Sequence, residues 1–238
     1  MGNDLNLVLL KWFVHYYAEV HPRVSGDLSL VRSLEGYDGF NIPDSPLGNP
    51  APLPLVAACL IRRVYDEKRI IVNQRLLDIN ELHLISIAQG AFLIRADIAL
   101  TRGDKPRIGR DVGYLTSEEA LGLLRRSVRG VRVGLMLSMR YGRGLIEERM
   151  RAGADFYLVL RLSRPDELKG LEVGKLIPYI IVETENNVDI IRKINQPHFK
   201  GDELKDLFTE LRDLGVEGVL LSTPGDHKAL VGLTRYFV

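Results

Sequence analysis

The feature that most constrains this chain is an alternation: short apolar or β-branched runs are each followed by a helical spacing of apolar residues, from one end to the other. The runs fall at Phe13–Val20, Gly39–Pro43, Arg69–Val72, Asp97–Leu100, Val131–Leu137, Phe156–Leu160, Lys175–Val182 and Gly218–Ser222. Helical spacing is clearest over Leu53–Tyr65, Ile79–Ile94, Ser117–Val128, Leu145–Ala152 and Glu203–Leu214. Asp78 followed by Glu81 reads as one helix cap, and Thr116-Ser117 before Glu118-Glu119 as another. Nearly continuous apolar strands are buried on both faces, as parallel strands under helices are. Eight such units in 238 residues predict a (β/α)8 TIM barrel as a single domain over residues 1–238. A doubly wound open sheet is the rival, but no GxGxxG follows a first strand.

Composition narrows the function classes. A hydrophobic content of 46% with 26% charged residues is that of a globular chain with ample core. The net charge of +1 gives no general drive toward nucleic acid or acidic membrane. The single cysteine, Cys59, lies in LPLVAACLIRR, has no disulfide partner and reads as a small core residue. A reducing cytoplasm fits. The opening MGNDLNLVLLKWF carries no basic leader or small-residue cleavage site, so no signal peptide is expected, and no run approaches the length of a membrane span. The apolar stretch Leu7–Trp12 could pack between subunits or cover the barrel's bottom.

In a barrel of this kind, chemistry sits at the C-terminal ends of the strands. Those ends read Glu19-Val20-His21-Pro22, Asn41-Ile42-Pro43-Asp44, Asn73-Gln74-Arg75, Thr101-Arg102-Gly103-Asp104, Met139-Arg140-Tyr141, Arg161, Glu183-Thr184-Glu185 and Thr223-Pro224-Gly225-Asp226-His227. So many polar groups on one rim point to a ligand site. Glu19, among aromatic and aliphatic neighbours, is expected to have a raised pKa, which suits a general acid near neutral pH. The plainer alternative is a Glu paired with an arginine across the barrel. Asp104 and Asp44 each have an equally ordinary role in a turn, and Asp78 one as a cap. His15 and His21 flank Glu19 at even spacing and so share its face. No spacing resembles a metal site, a P-loop, HExxH, GxSxG or paired CxxC.

These segments, in this order, resemble the methylenetetrahydrofolate reductase family, a flavin-binding (β/α)8 barrel. AEVHP is similar to that family's first-strand motif. DINELHLISIAQGAFLIRADIALTRGDKP resembles its run from an Asp-x-Asn helix start, through a Gly-Ala helix, to a strand ending in Gly-Asp-x-Pro. RMRAGADF resembles the junction into strand six, and KLIPYIIV strand seven. The resemblance implies reduction of the methylene bridge of a reduced folate or related pterin to a methyl group, with hydride passing from NAD(P)H through FAD. By the same resemblance Glu19 and Asp104 are the catalytic residues: Glu19 supplies the proton on the leaving nitrogen or holds its donor, and Asp104 binds the pterin edge. Arg149 then contacts the FAD diphosphate, and Asn41, Asn73, Arg102 and Tyr141 complete the cofactor-binding set. The family's histidine at the end of strand three is Asn73 here, its segment after strand five is reduced to SMRYGRG, and its glutamine after strand six is replaced by Leu160 or Arg161. STPGDHK lacks the usual arginine. Two alternatives remain open: a non-catalytic barrel that binds a C1-pterin or serves as a subunit of a one-carbon complex, and a flavin-free reductase fed directly by a nicotinamide. Family members are often homo-oligomers.

Overall fold

The computed structural model describes residues 14–21 and 25–238. Eight parallel strands close into a barrel in sequence order: β1 His15–Glu19, β2 Gly39–Ile42, β3 Arg69–Arg75, β4 Asp97–Thr101, β5 Val133–Ser138, β6 Phe156–Leu160, β7 Leu176–Ile181 and β8 Gly218–Ser222. The closing pair is β1 with β8, in which Tyr17 faces Leu220. The expected TIM barrel is therefore the observed fold. Phe13, Pro22 and Leu7–Trp12 lie outside the described residues.

Helices wrap the barrel at Pro54–Arg62, Glu81–Leu93, Ser117–Ser127, Arg143–Met150, Val188–Ile194 and Leu204–Leu214, with a single turn at Ser29–Arg32 between β1 and β2. The β6–β7 connection departs from the repeat, carrying two short 3-10 turns at Pro165–Leu168 and Val173–Lys175. The Ser117–Ser127 helix starts with the expected capping box, in which the Thr116 hydroxyl accepts from Glu119 N and the Glu119 carboxylate accepts from Thr116 N. The Glu81–Leu93 helix corrects the other cap. Asn80 accepts from His83 N at its start, while Asp78 is drawn away by Arg75. Cys59 is also corrected: it is exposed, because Pro54, Ala57, Ala58 and Ile61 form the inner face of its helix and position 59 falls outside that stripe.

One apolar core lies between the strands and the helices. A second fills the barrel itself, from Tyr17, Ile71, Ala99, Phe156, Leu158, Ile177 and Leu220. Space for its rings comes from glycine. A Cβ at Gly134 would stand 2.3 Å from the Phe156 ring, and one at Gly218 would stand 2.5 Å from Tyr17. Below that layer, at the N-terminal end of the strands, Arg69 binds Asp97 at 2.7 Å, Glu217 at 2.7 Å and the Tyr17 hydroxyl at 3.0 Å. Arg132 adds a second bond to Glu217 at 2.7 Å, and Arg69 lies 4.8 Å from the centre of the Phe156 ring. His15 joins this lower end rather than the rim, 3.7 Å from Asp38. Among the described residues no helix is long and apolar enough to cross a membrane.

Candidate functional site

At the opposite end, the C-terminal ends of the strands surround a cavity of about 1100 Å³. This slightly exceeds the roughly 300–1,000 Å³ of common small-molecule sites. Glu19, Asp104, Asn41, Asn73, Arg102, Tyr141 and Arg149 all line it. The barrel thus brings the expected catalytic and cofactor-binding residues to one place, though not in one role, while His15 lies at the opposite end and Asp78 is not on the lining.

Glu19 ends β1 and is 7% exposed, with the inner aromatic layer below it. Three side chains donate to its Oε1: Ser222 of β8 at 2.7 Å, Tyr179 of β7 at 3.1 Å and His21 at 3.1 Å. Burial alone would push the Glu19 carboxyl up, but these three bonds and the charge of His21 outweigh it and hold it below its ordinary value. The expectation of a raised pKa is therefore corrected: Glu19 is an anion near neutral pH, because its partners stabilise the charged form. Burial works against the charge of His21 as well, yet the bond to Glu19 and its charge raise the imidazole above its usual value. His21 also lines a second, mostly apolar cavity of about 540 Å³ beside the Pro54–Arg62 helix. Neither Tyr179 nor Ser222 stood out in the sequence, where both look like ordinary members of apolar strands. Their signal was parity, since alternate residues of a barrel strand point inward.

On the next two strands, Asn41 and Asn73 bond to each other, Asn41 Nδ2 donating to Asn73 Oδ1 at 2.8 Å. The end of β3 brings in Arg75, only 2% exposed, whose guanidinium donates to Asp78 at 2.5 Å and to the Ser45 carbonyl at 3.3 Å. Asp104 is exposed at the rim, and its Oδ2 accepts from Leu47 N at 3.1 Å. That bond holds a turn in which Ser45 and Leu47 both take left-handed backbone, at φ 42° and 57°. Two non-glycine residues in this region are costly unless their surroundings enforce them. Asp104 therefore performs turn duty while also facing the cavity. Within the same turn, Asp44 accepts from Arg75 N at 3.0 Å, from Gln74 Nε2 at 3.5 Å and from the Ser45 hydroxyl at 3.1 Å.

Arg102 and Tyr141 are exposed at the mouth, the latter accepting from Arg140 at 2.7 Å. Arg149 sits lower on the wall, and it is engaged. Its Nη1 donates to Glu118 at 2.6 Å and its Nε to the Met136 carbonyl at 2.6 Å. A flavin diphosphate at this position would meet a guanidinium already neutralised by Glu118, with Glu148 on the same cavity lining. Asn41 and Asn73, both expected in the cofactor-binding set, are bonded to one another. These residues do not form a flavin cradle. Among the described residues no group of three or more His, Cys, Asp or Glu could hold a metal ion.

No protein-family model matches the chain, and no curated protein sequence matches it. Solved structures do. An uncharacterized protein from Clostridium thermocellum that binds two copies of 5-methyl-5,6,7,8-tetrahydrofolic acid superposes with a TM-score of 0.64 at 10% identity, covering 97% of each chain. 2,3-Dimethylmalate lyase, a PEP mutase/isocitrate lyase superfamily member, gives 0.58 at 12% identity over 97% of this chain and 84% of its own. A class V chitinase from Nicotiana tobaccum gives 0.56 at 10% identity, over 94% of this chain and 97% of its own. At these identities the likeness is one of fold.

Proposed function

We propose that this barrel binds a reduced, one-carbon-carrying pterin of the folate type and reduces its methylene bridge to a methyl group, with hydride from NAD(P)H. The observation that carries the reading is Glu19, buried and fixed by three donors on the lining of a cavity large enough for a pterin. The sequence resemblance and the folate-binding fold neighbour support the same ligand class.

The chemistry asks for an anion there. Protonation of the leaving nitrogen breaks its bond to the methylene carbon, and the nitrogen keeps the bonding pair. The carbon remains on the other nitrogen as a cationic iminium, and hydride from the dihydronicotinamide then closes it to N-methyl, leaving the nicotinamide oxidised. Glu19 lowers the energy of the cation because its charge is in place before the reaction starts. Tyr179, Ser222 and His21 are positioning residues that keep Glu19 charged and immobile. The Asn41–Asn73 pair offers amide edges for the polar face of the pterin.

A second reading, a barrel that binds the pterin without reducing it, is favoured by the commitment of Asp104 to the Leu47 turn and of Arg149 to Glu118.

The test begins with the visible spectrum of the purified protein, followed by titration with FAD and then with a methyl-carrying reduced folate. The expected result is no flavin band, no FAD binding and saturable pterin binding. Turnover of the methylene form with NAD(P)H should follow, and Glu19→Gln should lower kcat/KM by about 10²–10³-fold, the usual scale for one electrostatic group. Pterin binding without turnover selects the second reading, and a protein that binds no reduced pterin refutes both.

A further inference from the structure

The helix Glu81–Leu93 is apolar on both sides. Its inner stripe, Leu84, Ala88 and Ala91, is buried in the core. The outer side of such a helix ordinarily carries charge, as those of the other long helices do: Ser117–Ser127 exposes Arg125 and Arg126, and Leu204–Leu214 exposes Lys205 and Glu210. This one does not. Beyond Glu81 in its first turn, the only ionisable side chain on the helix is His83, and Leu82 and Leu93 stand 75% and 80% exposed. On the neighbouring helix, Val56 and Cys59 continue the uncharged surface. A helix that is apolar all round is one that something covers.

The order of the outer residues indicates what covers it. Leu82, Ser86, Gln89 and Leu93 are all exposed, and they fall within about 60° of one another around the helix axis, since each residue turns it by about 100°. From either end the stripe reads the same in kind: a leucine, two polar residues, a leucine. An identical helix laid across it antiparallel, about a twofold axis midway between Ser86 and Gln89, sets Leu82 against Leu93 at both ends and Ser86 against Gln89 in the middle. Ser86 Oγ donates to the Leu82 carbonyl at 3.0 Å and keeps its lone pairs as acceptors. The Gln89 amide has no bond among the described residues and offers the matching donor. No charged side chain lies on the stripe, so no like charges meet across such a contact. The face is its own complement.

We propose that this chain forms a twofold homodimer through the helix Glu81–Leu93, packed antiparallel on the same helix of a second copy, with Leu82 on Leu93 and Ser86 on Gln89. The leucines at the two ends leave water on association, which drives it. The polar pair at the centre fixes the register, the division of labour that apolar and polar positions have in other helix pairs. The proposal does not depend on what the cavity binds.

Sedimentation equilibrium of the full chain tests it, and the wild type should run as a particle of two chains. Leu82→Lys and Leu93→Glu each spoil two symmetric contacts, at about tenfold per contact, so each should raise the dimer Kd by about 100-fold. Combined, they set lysine opposite glutamate across the interface and should bring the Kd back toward that of the wild type. Within one chain the two positions lie about 16 Å apart along the helix, so that ion pair needs the second copy. Leu82→Glu combined with Leu93→Glu should stay monomeric. These positions are exposed, and far-ultraviolet circular dichroism checks that each variant keeps its helices. Gln89→Arg, which sets two cations against each other beside the axis, gives an independent disruption. A monomeric wild type overturns the proposal, whatever else covers the helix. So does a dimer indifferent to Leu93→Glu and to Gln89→Arg, or a Lys–Glu double variant no tighter than the Glu–Glu one.

Discussion

The Tyr179 hydroxyl donates to Glu19 Oε1 at 3.1 Å, joining β7 to β1 across the barrel interior over 160 positions of sequence. Ser222 of β8 reaches the same oxygen at 2.7 Å, so adjacent strands converge on one atom.

Tyr179→Phe keeps the ring in the inner layer and removes only the donor. It should raise the Glu19 pKa and cost about 1.5–3 kcal/mol at pH 7, the usual worth of a hydrogen bond to a charged group. Ser222→Ala should act in the same direction. Urea unfolding of each variant measures the loss, and stability equal to wild type would show that these bonds do not hold the charge.

The Glu19–His21 pair sets a pH window for stability. The Glu19 pKa is held below its ordinary 4.5, so its contribution is present above that value and is lost as pH falls through the folded one. The His21 pKa is raised above 6.5, so its contribution is full below that value and is lost as pH rises through the folded one. The stability difference between wild type and His21→Gln should therefore be greatest between about pH 4.5 and 6.5 and decline on both sides. Thermal melts from pH 3 to 9 would read it, and a difference independent of pH would contradict the pairing.

Arg69→Leu strips the lower end of the barrel of the group shared by Asp97 and Glu217. Arg132 still reaches Glu217, but the partly buried Asp97 loses its nearest cation. Breaking such a network costs about 3–5 kcal/mol, which for a chain of this size lowers Tm by about 10 °C. Calorimetry decides the matter, and an unchanged Tm would mean the network is ornamental.

Gly48→Ala should loosen the cavity edge. A Cβ there would stand 2.1 Å from the Lys105 carbonyl, on backbone at φ 73°, where the turn after β2 meets the loop after β4. We expect a loss of about 1–3 kcal/mol from the forced backbone and faster proteolysis within residues 44–48 and 104–107. A variant as protease-resistant as wild type would show that the two loops move independently.

The strands were legible because burial on both faces leaves a continuous apolar run, and Phe156–Leu160 and Gly218–Ser222 match it end to end. β3 extends three residues beyond the expected Val72. Asn73, Gln74 and Arg75 look like loop in one dimension and are strand in three, since polar side chains are welcome where a strand faces a cavity. The candidate site was legible as a set, because strand ends share one rim. The charge on Glu19 was not, since it depends on a tyrosine and a serine that only barrel closure brings within reach. Cys59 shows the limit of residue-type averages, which place a free thiol inside when the helix phase places it outside.

The packed interior has a kinetic corollary. Tyr17, Phe156 and their neighbours fill the barrel beneath Glu19, and the Arg69 cluster closes the end below them. Among the described residues, the way to Glu19 through the main cavity therefore opens at the strand C-termini. For the reduction proposed above, a second reactant would have to arrive over the first or wait until it has left, so product should compete with incoming molecules of either kind, and order of addition would become a property of the architecture.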